Sequence, residues 1–201
     1  MPPSSSVHVL TMGGTIDKDY PRLTAGYAFE FGDQPAASRI LNAHPNLGIS
    51  FEVASICCKD SLEINDSERV ILFDTICRIL KLHESSQHAI RIVVTHGTDT
   101  MLETAQYIQT RLHDTEGGSI RTMVAGHIYP PPEHNCAIAF TGATKPERFV
   151  DSDASFNVGM AVGATSFCSP GSVLICMNGN VIPVEKCMRE PSSGLFKWRN
   201  E

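Results

Sequence analysis

The 201-residue chain has no apolar run near the roughly 20 residues that a membrane-spanning helix needs. It has no basic cluster either, and its formal net charge is −6. Both observations argue against a nucleic-acid or anionic-membrane partner. The opening, MPPSSSVHVL, lacks the basic n-region of a secretory signal. Its Pro and Ser residues read as a frayed tail over 1–6. No C-x-x-C occurs among the seven cysteines, 57, 58, 77, 136, 168, 176 and 187. Their odd count and apolar settings predict buried, reduced thiols in a cytoplasmic protein. Adjacent Cys57 and Cys58 are poorly placed for an unstrained disulfide. Neither G-x-G-x-x-G nor a P-loop is present, so nothing marks a nucleotide cofactor. H-E-x-x-H is absent too. A zinc site would have to be assembled from His96, His127 and His134 with Asp99 or Glu133, without a tight ligand spacing. There is no internal repeat and no long linker.

What remains is ordinary globular composition, 42% apolar and 19% charged, at a length suited to one domain over 1–201. Short apolar runs rich in Val and Ile fall at 7–12, 50–56, 89–95, 121–126, 136–142 and 172–178. Several are apolar on both faces, as buried parallel strands are. Helices are better marked. At 65–85, Asn65 and Glu68 stand at capping-box spacing before a stripe of Val70, Phe73, Ile76, Cys77 and Leu80. At 100–114, Thr100 and Glu103 repeat that spacing before Met101, Ala105, Ile108 and Leu112. A third helix is expected over 153–167, with Gly159 and Gly163 packing closely on the sheet. The proline-rich stretch 128–135 reads as a rigid loop. The tail REPSSGLFKWRNE, with the single Trp198, reads as irregular. Strands alternating with helices predict an α/β fold of three layers, a mostly parallel sheet with helices on both faces.

Ligands of such sheets sit beyond the carboxyl ends of the strands. Two stretches lie there, VLTMGGTIDKDY and VVTHGTDTML. Gly13 and Gly14 let backbone N–H groups approach a ligand. Asp99-Thr100 opens a helix whose free N–H groups attract negative charge. Thr15, Thr98, Asp99 and these donors suit a nucleophile, an oxyanion hole and an orienting acid. Taken singly, a tight turn explains Gly-Gly, capping explains Thr100, and the helix dipole explains Asp99.

Taken together, GGTIDKDY and THGTDTMLETA resemble the paired signatures of bacterial-type L-asparaginases. Those enzymes hydrolyse asparagine to aspartate and ammonia without a cofactor. DSLEIND (60–66) is similar to the family segment whose serine binds the substrate α-carboxylate, and GATKPERFVDSDASFNVGMAV (142–162) to the stretch after a central strand. The resemblance implies Thr15 as nucleophile and Tyr20, with Tyr27 as the alternative, as its hydrogen-bonding tyrosine. It implies Thr98 and Asp99 as the second threonine and its acid, Asp99 also meeting the substrate ammonium. Substrate contacts are then expected from Gly14, Asp60, Ser61, Gly97, Thr98 and Asp99. The family's lysine has no clear match. Lys186, after the last core strand, is the expected residue, and Lys145 the alternative. The longer members' second domain is missing, so the chain reads as a short form or a fragment, expected to form a homodimer or a dimer of dimers. The expected activity is L-asparagine hydrolysis with little or no glutaminase activity. The rival readings are a non-catalytic aspartate- or asparagine-binding module and an ammonia-releasing amidotransferase subunit.

Overall fold

The computed structural model describes residues 6–20, 29–86, 88–113, 123–124, 127–128 and 135–199. In chain order the elements are β1 (Ser6–Gly13), β2 (Lys18–Asp19), β3 (Glu30–Phe31), α1 (Ala36–Asn42), β4 (Ser50–Lys59), α2 (Asp66–Leu82), β5 (Ile90–Thr95), α3 (Met101–His113), β6 (Met123–Val124), β7 (His127–Ile128), β8 (Cys136–Thr141), α4 (Ala154–Ala164), β9 (Val173–Met177), β10 (Asn180–Pro183), β11 (Cys187–Arg189) and β12 (Phe196–Trp198). Six of the strands form one sheet in the order β10-β9-β8-β5-β1-β4, parallel except for β10. Counted along the chain, its parallel strands run 2-1-3-4-5. The direction of winding therefore reverses between β1 and β5, which is where such a sheet opens a crevice for a ligand.

Residue alternation along the strands builds the layers. Leu10, Met12, Ile92, Val94, Ile138 and Phe140 face α2 and α3. Val7, Val9, Val93 and Ala139 face α1 and α4. The expected stripe of α3, Met101, Ala105, Ile108 and Leu112, is fully buried, and Asn65 and Glu68 close their capping box on α2. On α2, Phe73, Ile76, Cys77 and Leu80 are buried with Leu72, while Val70 is only partly so. Thr100 and Glu103 tie α3 to its neighbours: the Thr100 hydroxyl donates to the Ser61 carbonyl, and Glu103 accepts from Arg69.

Several expectations change. Of the run at 121–126, Met123–Val124 pairs with His127–Ile128 in a separate two-stranded ladder, and β8 takes the place beside β5. Residues 129–134 of the proline-rich stretch, with residues 1–5, lie outside the described residues, and Ser6 already belongs to β1. Gly159 and Gly163 point away from the sheet: a Cβ at either would meet open space, because Ala154, Asn157, Val158 and Ala161 are the buried face of α4. The tail is ordered as an antiparallel hairpin of β11 and β12 whose Phe196 is buried in the core. Of the seven free thiols, Cys77, Cys136, Cys176 and Cys187 are buried, whereas Cys58 is exposed and Cys57 and Cys168 are half-buried. No helix among the described residues is long and apolar enough to cross a membrane.

Candidate active site

The sheet brings the two threonine loops together. Val7 to Thr11 of β1 lie in register with Arg91 to Thr95 of β5, so both chains leave the sheet side by side. Gly13 and Gly14 turn the first loop with φ of 86° at each, in the left-handed region that favours glycine. A Cβ on Gly14 would collide with the backbone of Gly97, and a Cβ on Gly97 would come within 2.6 Å of the Ser61 Cβ. Three segments distant in sequence thus touch through glycine. Thr15 follows as the first residue of a short 3-10 turn and is partly buried. The Gly14 N–H donates to the Lys59 carbonyl at 2.9 Å, so that donor is already used.

Ser61 is buried and sits behind Asp99, its Oγ donating to Asp99 Oδ2 at 3.3 Å. Thr100 Oγ1 donates to the Ser61 carbonyl at 2.6 Å, which fastens the 60–63 turn to the start of α3. Thr98, partly buried, lies in the turn between them. Asp60 caps its turn and pairs with Lys18 Nζ at 2.6 Å, and that cation holds its carboxyl below the usual range. His96 is buried with Nδ1 at 2.8 Å from the Gly97 carbonyl. Burial lowers its pKa to about 4, so the ring is neutral at pH 7 and Nδ1 is the donor.

Not every expected residue joins this cluster. Tyr20 is exposed, its ring stacked on Phe149 at 5.4 Å and near Phe29 at 6.1 Å. Among the described residues no hydrogen bond joins its hydroxyl to Thr15. Tyr27 lies outside the described residues. Lys186 is exposed, and its carbonyl accepts from the Arg199 N–H. Lys145 pairs with Asp151. The cation that meets Asp99 is instead Arg189, whose Nη2 lies 2.9 Å from Asp99 Oδ1. Sequence reasoning missed it, as it missed Lys18, because each partner is distant along the chain. Of the histidines weighed for zinc, His134 lies outside the described residues, as does Glu133. Among the described residues no group of three His, Cys, Asp or Glu side chains is placed to hold a metal ion.

Beneath the Thr15 loop lies an acid–base network. Asp17 Oδ1 accepts from the Ala36 N–H at 2.6 Å and so supplies the missing cap of α1. Burial pushes its pKa up to about 6. Arg39 pairs with Glu147, and Arg148 with Asp19, which joins this loop to the segment after β8.

Fold and site together define an open α/β domain with two hydroxyl-bearing loops, a serine and an acid gathered at its switch point. The chain belongs to the asparaginase family: residues 6–118 match the family's N-terminal domain, described as "Asparaginase, N-terminal". Comparison with curated proteins gave no match. Among solved structures it is similar to the thermostable L-asparaginase from Thermococcus kodakarensis, at 20% identity and a TM-score of 0.67, over 96% of this chain and 51% of that one. L-asparaginase I from Vibrio cholerae gives 14% identity and a TM-score of 0.66, over 97% and 51%. A probable cytoplasmic L-asparaginase from Campylobacter jejuni gives 22% and 0.61, over 92% and 48%. The chain spans about half the length of each of these structures.

Proposed function

We propose that the domain is an amidohydrolase acting on L-asparagine, without a cofactor. The observation that supports this most is the contact of Gly14, Gly97 and Ser61, which draws the Thr15, Thr98 and Asp99 segments into one cluster at the switch point. Thr15 Oγ attacks the side-chain amide carbon. Its proton passes to Tyr20, and N–H groups of the two threonine loops hold the oxyanion. The C–N bond then breaks, ammonia leaves with that proton, and aspartate remains as an ester of Thr15. Water activated at Thr98, beside Asp99, hydrolyses the ester. Ser61 holds the α-carboxylate and Asp99 the ammonium.

For this chemistry Tyr20 must leave the Phe149 ring and reach Thr15. Its position on Phe29 and Phe149 favours a second reading, an aspartate- or asparagine-binding module. Ammonia release from L-asparagine and from L-glutamine, with L-aspartate binding measured alongside, separates the two. Release from asparagine and little from glutamine is the expected result. Aspartate binding with no release from either amide identifies the module instead. We infer in addition that the chain assembles as a homodimer or dimer of dimers.

A further inference from the structure

The tail hairpin was left unused by the sequence motifs, yet it delivers a charge into the site. β11 ends at Arg189, in register with Phe196 of β12. Phe196 is buried in the α2–α3 side of the core, and its N–H donates to Asn178 Oδ1 at 3.0 Å. Asn178 itself holds a φ of 54° at the end of β9. The Arg199 N–H donates to the Lys186 carbonyl, and the Glu190 N–H to the Leu195 carbonyl. Arg189 is therefore mounted on a hairpin fixed at both strands. Its guanidinium lies over Gly194, where a Cβ would stand 3.2 Å from Nη2, and from there it meets Asp99 Oδ1 at 2.9 Å. Ser61 Oγ occupies the other carboxylate oxygen.

We propose that Arg189 is the positioning residue of this site: a permanent cation that holds the Asp99 carboxylate against the Thr98 loop. The assignment rests on the hydrolytic reading above. Its chemical content is specific to arginine. A guanidinium stays charged across the working pH range and cannot serve as a base, whereas a lysine in its place loses its proton near pH 10. Proton transfer at the Thr98 side is then not carried by this cation and is left to Thr98, Asp99 and water.

The test measures kcat and KM for L-asparagine from pH 6 to 10.5, with L-aspartate affinity, for wild type, Arg189→Lys and Arg189→Gln. Arg189→Gln is expected to lose about 10²-fold in kcat, the cost of a misplaced catalytic group. Arg189→Lys is expected to return to within about tenfold of wild type at neutral pH. Its rate relative to wild type should then fall as the lysine titrates near pH 10. Arg189→Gln with near-wild-type kcat overturns the assignment. So does Arg189→Lys with a profile parallel to wild type at every pH, or with no rescue at all. If wild type releases no ammonia, the hydrolytic reading fails, and Arg189 is judged on aspartate binding. Affinity lost in the Gln variant and retained in the Lys variant supports the proposal, and affinity unchanged in both overturns it.

Discussion

Gly97 is the residue on which the site closes. Its hypothetical Cβ lies 2.6 Å from Ser61 Cβ and 2.9 Å from Ser61 Oγ, too close for either to stay. Gly97→Ala is expected to push Ser61 off Asp99, weakening L-aspartate binding by at least about tenfold, or about 1.4 kcal/mol. Calorimetric titration checks this. An unchanged affinity would mean that Ser61 does not hold the ligand. At this scale legibility follows sequence distance. Thr15, Ser61, Thr98 and Asp99 lie inside short contiguous motifs whose residue types imply their chemistry. Arg189 meets Asp99 from 90 positions away and Lys18 meets Asp60 from 42, and no local pattern announces either pairing.

The helices show the same division. α2 was legible because its cap is local: Asn65 accepts from Ser67 N–H and Glu68 from Asn65 N–H. Asn65→Ala is expected to cost about 1 kcal/mol of stability by chemical denaturation. α1 was missed because Pro35 stands where a capping side chain would, and Asp17 caps it from 19 residues away. The tail hairpin was missed because its strands are three residues each, too short for a period, and bury only Cys187 and Phe196. The Asp17 cap of α1 predicts a pH signature. Asp17 has its pKa raised from 3.8 to about 6 by burial, so the folded state holds its proton more tightly. Its contribution to stability is full below 3.8 and is lost as pH rises through about 6. His96 is lowered from 6.5 to about 4, so its contribution is present above 6.5 and is lost as pH falls through about 4. The two slopes, each at most about 1.4 kcal/mol per pH unit, oppose one another between these values. Melting temperature should therefore fall less on acidification there in wild type than in a variant without Asp17. In Asp17→Asn the fall should be steeper, because the histidine is then unopposed. A variant with the same pH slope as wild type would show that the two groups do not offset.

Across the whole molecule, three-layer architecture was readable from apolar runs that alternate with capped helices. The strand order was not, because it depends on which strand pairs with β1 on each side. α4 and the turn that follows it show what folding leaves uncovered. Phe156 and Phe167 are exposed beside the outward Gly159 and Gly163, although nothing charged lies between them. An apolar face of this kind suits the proposed self-association. Sedimentation is expected to give a multiple of the 21.9 kDa chain mass, and Phe167→Asp to shift it toward one chain. A wild-type chain that sediments as a monomer at tens of micromolar would contradict that expectation.

The central claim is that Thr15 and Thr98 belong to one hydrolytic site. It is tested most directly by kcat for ammonia release from L-asparagine in Thr15→Ala, Thr98→Ala and the double variant. Residues that act as a unit give non-additive losses. Each single variant should lose at least about 10²-fold while remaining folded, and the double variant should lose little more than the worse of the two. A single variant that keeps most of the activity, or losses that multiply, would mean that the two loops meet in the structure without sharing the chemistry.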